Sequence, residues 1–278
     1  MPIHRTPGLV LRTIDYSETS LIVWLYTQTH GRVHVIAKGA RRARSPFEGA
    51  LEPLVLGELV FYRKARADAL DIAKEFDPTD LHRGLRQDLA RMHRGAYLAE
   101  LLTELSEADA PSEAAWRAVT AGLDGLARGP VGELDAVLFG AELALIQSAG
   151  LAPGLRGCTT CGRPDAGLFS IPSGGLLCEE HARRDPAAKA VAPGALKTLA
   201  ALAAGEHLRC GRELAGTIRA LLDDFLAHHL GKRLRTQRYL AGPGPSRGGT
   251  GGGPGSRGTG PRPRARPARA GLTRERTS

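Results

Sequence analysis

Residues 158–181 read CTTCGRPDAGLFSIPSGGLLCEEH, and the spacing inside this stretch dictates what the chain on either side has to do. Two residues separate Cys158 from Cys161, two separate Cys178 from His181, and sixteen lie between the pairs. Two donors so spaced wrap one metal through a tight turn, and two such turns supply the four thiolate and imidazole donors that Zn²⁺ prefers. Gly157, Gly162, Gly174 and Gly175 stand where such turns call for residues tolerant of positive φ. With all four coordination positions filled by protein, none is open for water or substrate, so the zinc is structural. A redox Cys-x-x-Cys pair is the other reading, but it belongs in a thioredoxin-like βαβ context that this sequence lacks. Three of the four cysteines in the chain lie in this window. The fourth, Cys210, reads as an inert thiol, and it is the substitute ligand if His181 is merely solvated.

Outward from the metal stretch the period is helical. Leu81, Leu85, Leu89, Met92 and Ala96 recur at three- and four-residue spacing from Pro78 onward, continuing through Leu101, Leu102 and Leu105. Ser112 is placed to cap a second helix carrying Trp116, Val119, Leu123 and Leu126. A third runs from about Gly132 to the stop at Gly150, with Pro153 beyond. After the metal stretch come a short helix over Pro193–Ala204 and a final one, marked by Leu214, Ile218, Leu222 and Phe225, that ends near Tyr239. The zinc module is thus inserted into a helical bundle, where metal binding adds directly to folding stability.

The first eighty residues read differently. Thr6–Tyr16, Ser20–Thr27, Gly31–Ala37, Leu51–Arg63 and Ala69–Phe76 are β-rich runs broken by turn residues. Five short strands bent by glycines suit a small closed barrel such as the OB-fold, with an SH3-like barrel as the alternative. The fold class is therefore α+β and multidomain: a five-stranded barrel over residues 1–80, a helical domain over 81–241 with the zinc module at about 155–185, and a tail over 242–278.

That tail holds eight arginines and one glutamate, and contributes +7 of the formal net charge of +9. Its Gly, Pro and Arg content gives it nothing to bury, so it reads as disordered, binding polyanions loosely if at all. The sequence has no run of eighteen apolar residues to span a membrane and no secretory leader, so a soluble cytoplasmic protein is expected.

No phosphate loop, nucleophile elbow or deaminase signature is present in the sequence, and Glu100, Glu104 and Glu107 read as a solvated helix face. Binding features are stronger. Lys38, Arg41, Arg42 and Arg44 fall within seven residues in the loop AKGARRARSPFEGA, a pattern that grips phosphates and releases counterions. Trp24, Tyr26, Phe61 and Tyr62 are available to stack on bases, although alternation assigns Trp24 and Tyr26 together to the barrel core. A second basic group, Lys232, Arg233, Arg235 and Arg238, follows the last helix, where cations also complement the helix dipole.

Residues 3–240 as a whole resemble the RecO family of bacterial recombination mediators. The resemblance rests on the opening GLVLRTIDYSETSLIVWLYTQTHGRVHVIAKGARR and on AELALIQSAGLAPGLRGCTTCG, with Phe169 and Gly174-Gly175 ahead of the second ligand pair. It implies an N-terminal OB-fold, a helical domain and a zinc module with no catalytic role. The implied activity is to bind single- and double-stranded DNA, anneal complementary strands, and help load RecA onto strands coated by single-strand-binding protein (SSB). RecR and the acidic C-terminal tail of SSB are the implied protein partners, and association with the bacterial nucleoid follows. The competing classes are an RNA-binding OB-fold protein and a metal-dependent nucleic-acid enzyme.

Overall fold

The structure, a computed structural model, describes residues 2–47, 49–64 and 70–240; the tail over 242–278 lies outside the described residues. Five strands, β1 (Ile3–Asp15), β2 (Leu21–Thr27), β3 (Gly31–Ala37), β4 (Leu56–Tyr62) and β5 (Asp71–Asp80), close into a barrel in the order β1-β2-β3-β5-β4. All pairs are antiparallel except β3 with β5, which run parallel. A simple meander cannot create that parallel pair, whereas the Greek-key path of the OB-fold does, and this decides against a plain up-and-down barrel. Val10, Val23, Leu25, Val33, Val35, Leu59, Phe61 and Phe76 fill the interior. Gly31 turns β2 into β3 at φ 63, and a Cβ there would lie 2.5 Å from the backbone of Ala110, so the turn and the approach of the helical region both require glycine.

Two strand limits differ from the sequence reading. β4 begins at Leu56, not Leu51, because the apolar residues before it form turns: Leu51 packs into the barrel core, and Leu54 takes a left-handed φ of 70. β5 runs on through Pro78 to Asp80, so the helical period starts later than Pro78 suggests. Pro78 is accommodated opposite Gly57, beside a shift in the ladder register.

A 3₁₀ turn (Arg83–Gln87) leads into α1 (Leu89–Leu105), α2 (Glu113–Arg128) and α3 (Leu134–Ser148). Asp88 caps α1 by accepting from the Ala90 N–H at 2.7 Å, and Ser112 caps α2 by accepting from the Ala115 N–H at 3.2 Å. Each cap contributes about 1 kcal/mol. A small sheet of β6 (Ala166–Ser170), β7 (Gly175–Cys178) and β8 (Lys189–Ala190) encloses the short helix α4 (Glu179–Ala182). The chain then returns to the bundle as α5 (Pro193–Ala203) and α6 (Arg212–Leu230). α6 stops at Gly231 with φ 66, and the stretch to Tyr239, expected as helix, holds a separate 3₁₀ turn.

Barrel and helices share one apolar core. Leu9, Leu11 and Tyr26 sit on the outer face of the barrel and are buried in a cluster with Leu98, Leu101, Trp116 and Val119. The Tyr26 ring lies 6.5 Å from Trp116, and its hydroxyl accepts from the Ser112 N–H at 3.1 Å. The assignment of Trp24 and Tyr26 to the barrel interior is therefore corrected: both point outward, and Tyr26 is buried because helices cover that face.

Deeper in the bundle, Glu142 of α3 is fully buried and accepts both guanidinium nitrogens of Arg219 from α6, each at 2.7 Å. Tyr97 of α1 donates to the same carboxylate at 2.6 Å. Burial disfavours the charged Arg219, but the Glu142 carboxylate outweighs it and raises its pKa, so three helices are tied through one ion pair. A buried pair of this kind contributes little net energy, but losing one partner is costly.

Candidate nucleic-acid interface and metal centre

The turn between Cys158 and Cys161 precedes β6, and Cys178 ends β7 one residue before α4, which presents His181. The Cys158 N–H donates to the Arg163 carbonyl at 2.8 Å, and the Gly162 N–H donates to the Cys158 carbonyl at 2.8 Å, which folds the first pair back on itself. Gly162 and Gly174 adopt φ of 76 and 70, as the turns demand. The sheet thereby brings all four side chains together, with donor atoms within 4.8 Å of one another. Cys161 Sγ lies 3.8 Å from Cys178 Sγ, Cys158 Sγ 3.7 Å from His181 Nδ1, and Cys178 Sγ 3.1 Å from His181 Nδ1. A tetrahedron built on Zn–S bonds of about 2.3 Å has edges of roughly 3.8 Å. The donor set and its spacing thus fit a zinc ion. Desolvation opposes ionisation of Cys158, but the N–H groups of Cys178, Cys161 and Thr160 overcome it and bring the thiol down to about 6. Cys210 is not a member of this group; it packs with Leu208 and Leu214 beside α5 and α6.

The basic loop leaves β3 at Ala37 and folds over the β1–β2 turn. Its Arg41 N–H donates to the Thr19 carbonyl at 3.1 Å, and its Gly39 N–H to Ser20 Oγ at 3.5 Å. Lys38, Arg41, Arg42 and Arg44 are all exposed. Arg41 pairs with Asp15 at 3.3 Å across the turn, while the other three form no ion pair among the described residues. The loop thus holds four cations at one rim of the barrel, with the backbone fixed and the side chains directed to solvent. Of the four aromatic candidates, Phe61 is in the barrel core and Tyr26 is covered by helices, leaving Trp24 and Tyr62 half-buried on the outer face.

Two family models match the chain in tandem, "Recombination protein O N terminal" over residues 1–80 and "Recombination protein O C terminal" over residues 86–238. The chain belongs to the RecO family. The "DNA repair protein RecO" of Exiguobacterium sibiricum is 32% identical over 244 residues, covering 86% of this chain and 96% of that protein. That of Anaeromyxobacter sp. is 37% identical over 253 residues, with 86% and 96% covered. The "DNA repair protein RecO" of Myxococcus xanthus is 32% identical, with 84% and 95% covered. Membership in the RecO family places the chain in DNA repair as a recombination mediator.

In this RecO chain the second basic group is engaged within the fold. Lys232 pairs with Glu104 at 2.8 Å and Arg233 with Asp224 at 2.8 Å, while Arg238 lies over the Tyr239 ring at 4.6 Å. Glu100 accepts the N–H groups of Arg235 and Thr236, both at 2.9 Å, and the Thr236 hydroxyl at 2.6 Å. Glu100 and Glu104, read from sequence as a solvated face, therefore fasten the segment after α6 onto α1. No local pattern marks this, because the partners are more than a hundred residues apart. A groove of about 490 Å³ is bounded by α2, α3 and residues 202–209, lined by Ala118, Gly122, Gly125 and Val137 together with Glu133, Glu206, His207 and Arg209. No helix among the described residues is long and apolar enough to cross a membrane.

Proposed function

We propose that this chain is a non-catalytic mediator that grips DNA phosphates through Lys38, Arg41, Arg42 and Arg44, and uses that grip to bring complementary strands together. The observation that carries the reading is the exposed cluster of four cations on a loop whose backbone is pinned to the barrel. Contacts to phosphate accept any sequence, which is what annealing requires. Both single- and double-stranded DNA present the phosphates this loop takes. RecR is the expected protein partner, and loading of RecA onto SSB-coated strands the expected outcome, in a cytoplasmic, nucleoid-associated setting.

The acidic SSB tail is assigned to the groove between α2 and α3. A mostly apolar lining with Arg209 and His207 beside it supports an acidic peptide, although Glu133 and Glu206 also line the groove; Arg233 and Lys232 already hold carboxylates. Arg209 itself pairs with Glu133 at 2.8 Å, an exposed contact that an incoming carboxylate can replace. Zinc held by Cys158, Cys161, Cys178 and His181 is structural, because those four side chains complete a tetrahedral shell and leave no position for a reactant.

Annealing of complementary oligonucleotides coated with SSB, without ATP, tests the reading. The full chain is compared with a chain ending at Ala241. Equal acceleration by both places the activity in the barrel and helices. Acceleration by the full chain alone assigns it to the arginines of the tail and removes the loop from the account.

A further inference from the structure

Burial divides the three cysteines of the metal group. Cys158 is 3% exposed and Cys178 1%, and both pack with Leu177, with Ala166 and Ala182 beside them. Cys161 is exposed. It stands in the first turn, one residue before Gly162 with its φ of 76. Solvent therefore reaches the thiolates of this group chiefly at Cys161.

The turn is laid against the strand that carries the second pair. The Thr159 N–H donates to the Leu176 carbonyl at 2.8 Å, and these residues stand two positions ahead of Cys161 and of Cys178. The sulfurs of Cys161 and Cys178 are thereby in contact at 3.8 Å, while Cys158 meets the imidazole of His181 at 3.7 Å. A solvent-facing thiolate with a second sulfur against it is the arrangement in which oxidation ends in a disulfide.

We infer that Cys161 is where peroxides oxidise this module, that Cys178 resolves the oxidised sulfur into a disulfide, and that the metal is released as a result. This rests on the zinc reading and extends it. The Cys161 thiolate attacks one peroxide oxygen and the O–O bond breaks, giving a sulfenic acid and hydroxide. The Cys178 thiolate then attacks the Cys161 sulfur, forming the S–S bond and expelling a second hydroxide. Two thiolates, one hydrogen peroxide and two protons thus become one disulfide and two waters. Both electrons come from sulfur, and the zinc keeps its charge. Cys158 and His181 remain, half of the set that a structural zinc requires. A thiol reductant reverses the disulfide and restores the site.

The consequence reaches beyond the module. Phe169 of β6 lies 6.3 Å from Phe225 of α6, and Leu176 of β7 belongs to the same core. Loss of the metal loosens the sheet against which α6 packs.

The full-length chain, purified with zinc, is treated with hydrogen peroxide beside a chromogenic zinc chelator, and the oxidised cysteines are located by mass spectrometry after alkylation. The expected result is one zinc released per disulfide, a Cys161–Cys178 linkage, and return of the metal after dithiothreitol and added zinc. Cys161→His keeps four donors but leaves only the two buried sulfurs, and should release zinc about tenfold more slowly. Cys210→Ser should release it at the unaltered rate. Zinc retained while Cys210 is oxidised, a disulfide that excludes Cys161, or an unaltered rate in a zinc-loaded Cys161→His chain would overturn the inference. If Cys161→His takes up no zinc, the linkage mapped in the unaltered chain decides by itself. Failure of the zinc reading looks different: the untreated chain would then carry no zinc and take none up when it is added.

Discussion

Residues 38–44 and residues 232–238 are alike as sequence: each packs four cations into seven positions. In the structure they are held differently. Around the first loop, Arg41 is the one cation that meets a carboxylate, Asp15, among the described residues, and the loop rests on backbone contacts that leave its side chains in solvent. In the second, Glu104 and Asp224 hold Lys232 and Arg233, and Glu100 holds the backbone on which Arg235 and Thr236 stand. The zinc module belongs with the second group, since Arg163 and Arg183 face Glu180 and Glu179. A count of cations is thus no measure of a nucleic-acid site. The two groups differ in how far carboxylates elsewhere in the fold answer them, and on the proposed reading that difference decides which of them meets DNA.

Three variants press on this division. Cys158→Ser has the largest expected effect. Zinc binding contributes about 10 kcal/mol to the folding of small zinc modules, so metal content should fall and Tm should drop by many degrees. DNA binding at a temperature where the variant stays folded should keep its salt dependence, because Arg163, Arg183 and Arg184 of the module are already paired with Glu179 and Glu180. A Cys158→Ser chain that retains its metal and its Tm would remove the zinc assignment. Next, replacing Lys38, Arg41, Arg42 and Arg44 with Ala should weaken DNA binding about 100-fold at low salt without moving Tm, as expected for four lost phosphate contacts. The smallest effect is that of Glu100→Ala, which leaves the N–H groups of Arg235 and Thr236 without their acceptor. It should lower stability by about 1–3 kcal/mol in denaturant titration and leave DNA affinity within twofold. A fall in affinity with no loss of stability would place that segment on the binding side of the division.

Much of this was legible in the sequence. Alternation in Val33–Ile36 and the runs around Trp24 marked the strands, and the spacing of Cys158, Cys161, Cys178 and His181 marked a group that the sheet of β6 and β7 does assemble. Alternation reports that a strand has two faces, however, and not what covers each of them. Tyr26 was misplaced for that reason: around it the helices bury the outside of the barrel as thoroughly as the barrel core buries the inside. Leu54 shows a second limit, since an apolar residue at a left-handed turn looks like the start of a strand. The pairing of Glu142 with Arg219 had one local trace, a lone carboxylate in the apolar run of α3, but its partner lies 77 residues away. The different settings of the two basic groups were illegible for the same reason, because Glu100 and Glu104 precede residues 232–238 by more than a hundred positions.

The most direct test is the salt dependence of single-strand binding, measured side by side for the unaltered chain, the loop variant, and a variant with Lys232, Arg233, Arg235 and Arg238 replaced by Ala. Each phosphate contact contributes roughly 0.7 to the slope of log K against log salt for single strands. The loop variant should therefore lose a slope of about 3, and the second variant close to none. Equal losses in both, or a loss confined to the second, would contradict the claim that the loop at the rim of the barrel is where this protein holds DNA.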